Sequence, residues 1–102
     1  MRYKIGICDD DAAQRAYLKE IATDWAKRSH CLAEVKQYSD AKAFLFEYAE
    51  EKDFDILLLD IEMPEISGIE LAKTVRRDNA AVQIVFVTGY YEYFRLFRDN
   101  GG

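Results

Sequence analysis

The stretch Ile56-Leu57-Leu58-Leu59-Asp60 runs directly into Ile61-Glu62-Met63-Pro64-Glu65. An unbroken aliphatic run of this length suits a strand covered on both faces, as in a parallel sheet packed between helices. The run ends in a carboxylate, and a loop holding the chain's single proline follows at once. Open α/β sheets bind ligands beyond the carboxyl ends of their strands. Asp60 is therefore expected where such a sheet places its chemistry.

Working outward, Tyr3 to Cys8 reads as a first strand that breaks off in Asp9, Asp10 and Asp11. Asp11 is a good helix N-cap, with Gln14 three residues on as in a capping box. Leu18, Ile21, Ala22 and Trp25 then give a helical apolar stripe. The helix fades around Arg28-Ser29-His30. Ala33 to Tyr38 reads as a second strand, and Ser39 or Asp40 caps a second helix with the stripe Ala41, Phe44, Leu45 and Tyr48. The charged run Glu47 to Asp53 reads as a solvated face. Asp55 to Asp60 is the third strand. Ser67 with Glu70 forms a capping box, and Ile66 with Leu71 a hydrophobic staple, at the start of a third helix. Its inner stripe is Gly68, Leu71, Ala72 and Val75, and Arg76-Arg77 suit the dipole at its end. Gln83 to Val87 is a fourth strand leading to Thr88-Gly89. Tyr90, Tyr93, Phe94 and Phe97 fall at the spacing of a short fourth helix. Alternation of strand and helix implies right-handed βαβ units and a doubly wound, three-layer α/β sandwich.

The totals agree with one small domain spanning 1–102. Half of the 102 residues are hydrophobic and 32% are charged, as in a globular chain. Apolar runs are too short for a membrane span. Met1-Arg2-Tyr3-Lys4 leads straight into a strand pattern without a signal-peptide layout, so a cytoplasmic location is expected. The net charge of −5 argues against nucleic-acid binding by this segment. Cys8 and Cys31 form neither a CxxC pair nor a metal pattern and read as buried or incidental thiols.

In a doubly wound sheet the first and third strands are neighbours, so Asp9, Asp10 and Asp60 converge at one edge, joined by Thr88. Like charges about 4 Å apart repel by about 4 kcal/mol per pair at an effective dielectric of about 20. Such a cluster calls for a cation, and an all-oxygen site suits Mg²⁺. As helix caps and strand-end solubilisers, the aspartates would be explained only at Asp11.

The pieces Ile7-Cys8-Asp9-Asp10-Asp11, Leu57 to Leu71 and Val85-Phe86-Val87-Thr88-Gly89 resemble the receiver domain of two-component response regulators, over about residues 2 to 94. The wording around Thr88, with Tyr90, Glu92 and Tyr93, is most similar to receivers joined to LytTR-type DNA-binding domains. The resemblance implies a flavodoxin-like sheet of order 2-1-3-4. It implies that Asp60 accepts a phosphoryl group from a phosphohistidine of a sensor histidine kinase. Asp10, Asp60 and the backbone carbonyl of Glu62 would ligate Mg²⁺ directly, and Asp9 mostly through water. Thr88 would bond a phosphate oxygen. Met63-Pro64 and Gly68 would shape the turn over Asp60, though close helix–sheet packing explains Gly68 equally well.

The family also carries a lysine at the end of a fifth strand. This chain is expected to lack that strand, its helix and the lysine; Lys4 and Lys73 are not placed to substitute. A fourth strand left as an open edge invites pairing, so a homodimer or swapped assembly is expected. The leading expectation is a phosphoacceptor switch rather than an enzyme, regulating transcription through a separate C-terminal DNA-binding domain. The alternative is a receiver-like interaction or dimerisation module that no longer switches. A third reading, an aspartate-nucleophile phosphatase, fits less well because Glu62 stands at its second acidic position. No Gly-rich nucleotide loop is present.

Overall fold

The structure is a computed structural model that describes residues 1–87. Thr88 and the aromatic helix expected over Tyr90 to Phe97 lie outside the described residues. Seven elements follow in order: β1 (Arg2–Cys8), α1 (Ala12–Arg28), β2 (Leu32–Tyr38), α2 (Ala41–Tyr48), β3 (Ile56–Asp60), α3 (Gly68–Asp78) and β4 (Gln83–Val87). Strand and helix starts agree with the expected ones to within a residue, the usual uncertainty of element ends.

The strands form one sheet in the order β2-β1-β3-β4, with every pairing parallel. This is the flavodoxin-like order. Cys8 pairs with Leu59 and with Tyr38, so the residues just past β1 stand level with Asp60. Side chains of alternate parity serve opposite faces of a strand. Cys8, Leu57 and Leu59 join Phe44 and Tyr48 of α2 and Leu71, Ala72 and Val75 of α3 in the main core, with Ile84 and Phe86 packed against it. Tyr3, of opposite parity, meets Trp25 of α1 edge-on at 5.4 Å. Helix α1 thus covers one face, and α2 and α3 the other. Phe44, Leu57, Leu59 and Leu71 are fully buried, each contributing about 1.5–3 kcal/mol.

Two expectations are corrected. The inner stripe of α1 is Leu18, Ala22 and Ala26, whereas Ile21 and Trp25 are 45% and 38% exposed. Two small residues on the buried line let the helix lie close to the sheet, and its larger side chains flank that line. The run Glu47 to Asp53 is also not simply a solvated face. Lys4 is almost buried in β1, and its Nζ reaches Glu51 at 2.7 Å and Asp53 at 2.8 Å, lying 4.7 Å over the Phe54 ring. Lys36 of β2 pairs with Glu47 and, at 3.3 Å, with Glu51. The run holds two strand lysines, Lys4 near the amino-terminal end of β1 and Lys36 midway along β2.

Candidate metal and acceptor site

At the carboxyl edge of the sheet, β1 delivers Asp9 and Asp10 and β3 delivers Asp60. One carboxylate oxygen from each lies within 4.8 Å of the others. Asp9 is buried, Asp60 half-buried and Asp10 exposed, so the group grades from core to solvent.

Asp9 is held closely. Its N–H donates to the Tyr38 carbonyl at 3.1 Å. Its own carbonyl accepts from Arg15 Nη1 at 2.6 Å. Its Oδ1 accepts the Asp11 N–H at 2.9 Å, an Asx turn. Oδ2 is buried and has no hydrogen-bond partner. This explains why the expected capping box at α1 does not form. Asp11 caps the helix by accepting from the Ala13 and Gln14 N–H groups, but its own N–H, which Gln14 would have accepted, is taken by Asp9. The Gln14 amide instead favours the ionised form of Asp9. Neither Arg15 nor this turn was read from the sequence. A carboxylate two residues ahead of an N-cap was the available signal for the turn.

The loop after β3 is fixed from several sides. The Glu62 main chain favours the ionised form of the Asp60 carboxyl, while the Glu62 side chain is exposed. Met63 turns inward, its Sδ 3.7 Å from Cys8 Sγ. Glu65 takes a positive φ of 67° and pairs with Lys42 of α2. Ser67 and Glu70 complete the expected capping box. Gly68 donates its N–H to the Ile61 carbonyl at 2.9 Å, and a Cβ there would lie 2.0 Å from the Asp60 carbonyl oxygen. Close packing is therefore the direct reason for this glycine, and the atom it packs on is the backbone of Asp60 itself.

Electrostatics mark the cluster as short of positive charge. Burial, then the charge of Asp9, then the hydrogen bond and charge of Asp10 push the Asp60 carboxyl up to about 7, against the Glu62 main chain. Burial also raises Asp9, against the Asp11 N–H, with the charges of Asp10 and Asp11 adding to the rise. A buried carboxylate oxygen without a partner, beside two further carboxylates, fits a hard divalent cation. Burial, then Asp40, Asp9 and Asp60, push the neighbouring Cys8 thiol up to about 12.

The sequence model described as the response regulator receiver domain matches residues 5–98. The chain belongs to the response regulator receiver domain family. The receiver is 31% identical over 90 residues to the transcriptional regulatory protein NatR of Bacillus subtilis, covering 88% of this chain and 36% of that protein. It is 32% identical over 85 residues to the stress response regulator protein 1 of Candida tropicalis, covering 83% of this chain and 30% of that one. The receiver thus spans about a third of these relatives' lengths. Among solved structures, the response regulator TrrA of Thermotoga maritima, in complex with Mg²⁺-BeF, is 28% identical with a TM-score of 0.74, covering 89% of this chain and 73% of that one. A receiver domain protein of Clostridium thermocellum, 19% identical with a TM-score of 0.75 over 98% of this chain and 76% of that one, shares the fold. Family membership places this receiver in two-component signalling, where receivers are signalling modules that bind Mg²⁺ at an acidic pocket and work with histidine kinases. No helix among the described residues is long and apolar enough to cross a membrane.

Proposed function

We propose that this receiver is a Mg²⁺-dependent phosphoacceptor, with Asp60 as the residue phosphorylated. The observation carrying the reading is the partnerless buried Oδ2 of Asp9 beside Asp60, whose carboxyl is pushed up to about 7 by its surroundings. Asp10, Asp60 and the Glu62 carbonyl would hold the ion, with Asp9 mostly through water. When bound, Mg²⁺ supplies the positive charge that lets a phosphoryl group approach a carboxylate. An Asp60 carboxylate oxygen attacks phosphorus; the O–P bond forms as the P–N bond of a kinase phosphohistidine breaks. The Glu62 main chain favours the ionised Asp60 carboxylate that makes the attack. Thr88, by resemblance, donates its hydroxyl to a phosphate oxygen. Turnover of the aspartyl phosphate is at most self-catalysed.

Output belongs to the remainder of a longer protein in this reading. NatR and the Klebsiella oxytoca ZraR are named transcriptional regulatory proteins, and the chain spans 36% and 17% of them. Their names support transcriptional control through a separate C-terminal DNA-binding domain, of LytTR type by the wording after Thr88. Among the described residues β4 ends the sheet, and a second copy across that edge would make a homodimer. A monodisperse monomer by light scattering would remove the dimer.

The test of the acceptor is intact mass after incubation with Mg²⁺ and a small-molecule phosphodonor. The parent is expected to gain about 80 Da, one HPO₃, and Asp60→Asn to gain nothing. A parent without adduct would leave the interaction module as the reading. An adduct retained by Asp60→Asn would move the acceptor elsewhere.

A further inference from the structure

We infer that Arg15 is a positioning residue for the cation site, acting through the main chain of Asp9; the inference rests on the reading that the acidic cluster holds a divalent cation. Asp9 has three of its four polar groups satisfied inside the protein, by Tyr38, Arg15 and Asp11. The fourth, Oδ2, is the one left to face a cation through its bound water. Its placement follows from the other three. Tyr38 anchors the N–H to the end of β2, and the Asx turn spends Oδ1 on Asp11. Arg15 closes the frame from the first turn of α1. Its own N–H bonds the Asp11 carbonyl at 2.9 Å, and its half-buried guanidinium returns to the Asp9 carbonyl at 2.6 Å, a charge-assisted hydrogen bond. The helix start and the strand end are thereby tied into one rigid turn, with Asp9 at its buried corner.

Charge and geometry make opposite demands at this position. A guanidinium this near the cluster repels an incoming divalent cation. Were Arg15 only a counter-charge to the aspartates, its removal would tighten cation binding. Were it only a packing residue, its removal would lower stability and leave the affinity of the folded protein alone. As a positioning residue, its loss frees the Asp9 carbonyl, lets the turn shift and weakens binding despite the loss of a positive charge. Partners that orient a ligand in this way change metal affinity by about 10- to 100-fold when removed.

The experiment is Mg²⁺ titration calorimetry on the full chain, with Mn²⁺ paramagnetic resonance as a second readout and urea midpoints alongside. Arg15→Met is expected to raise the Mg²⁺ Kd about tenfold or more. Arg15→Lys, which keeps the charge but cannot span the same bond geometry, is expected to raise it less and to secure the test should the methionine variant fold poorly. An unchanged or lowered Kd in folded Arg15→Met, or an unchanged Kd in Arg15→Lys, overturns the inference. A parent chain that binds neither ion overturns the cation-site reading itself, and this inference with it.

Discussion

At Gly68 the constraint is steric and local. Any side chain there begins with an atom 2.0 Å from the Asp60 carbonyl oxygen, and backbone cannot move aside as a flexible side-chain tip can. Gly68→Ala is expected to cost about 3 kcal/mol, at the upper end of overpacking effects, read as a lowered urea midpoint. Because the clash falls on Asp60, the proposed acceptor, the same variant is expected to lose phosphorylation even where it stays folded. The acidic residues were legible because their placement needs only strand ends and neighbouring strands. The contact between Gly68 and Asp60 was not, because a glycine in a loop pattern does not reveal which atom forbids a Cβ. Arg15 stayed hidden for a related reason. A long side chain that returns to a main-chain carbonyl leaves no pattern in residue types.

At the scale of elements, α1 ends in a Schellman motif. The His30 N–H bonds the Lys27 carbonyl at 3.2 Å and the Cys31 N–H the Ala26 carbonyl at 2.8 Å, with His30 at a φ of 57°. A left-handed residue with a Cβ costs about 1–2 kcal/mol that glycine avoids. His30→Gly is therefore expected to raise stability by about 1 kcal/mol, seen as a thermal midpoint higher by about 4–8 °C. The two strand lysines carry the pH dependence. Burial opposes the charge of Lys4, but Asp53 and Glu51 outweigh it and leave the ammonium raised. Hydrogen bonds from Lys4, and from Lys36 to Glu51, lower both carboxyls. A lowered carboxyl contributes stability above its unfolded value and loses it as pH falls through the folded one. The window therefore opens at the ordinary values, 4.5 for Glu51 and 3.8 for Asp53, and extends below them. A raised lysine loses its contribution only as pH rises past 10.5. Lys4→Met is expected to flatten the acid limb and the far alkaline limb of a stability–pH profile and to leave the phosphorylation yield at Asp60 unchanged. An acid limb as steep as the parent's would sink this account.

Over the whole molecule, the alternation of strand and helix carried the fold, since each apolar run could be buried in only one way once the sheet was parallel. The register followed without being written anywhere in the chain: pairing Cys8 with Leu59 brings the acidic edge level. Two misreadings show where pattern loses to packing. Ile21 and Trp25 outrank Ala22 and Ala26 in hydrophobicity, yet the alanines take the buried line because closeness to the sheet favours small residues. The Glu47 to Asp53 run looked solvated because its partner Lys4 lies on a strand distant in sequence, visible only once β1 and the segment before β3 are side by side.

That same register has a kinetic consequence. Asp9 and Asp60 belong to strands separated by a helix, a strand and another helix, so no local segment of the unfolded chain can bring them together. Their mutual repulsion is met only when β1 and β3 zip to their carboxyl ends, the last few ångströms of a non-local pairing. A divalent cation held at the cluster, as proposed, would therefore have nothing to grip in a partly paired sheet. It would act chiefly as a brake on departure from the native state, slowing the unfolding limb of a chevron while leaving the refolding limb nearly where it was.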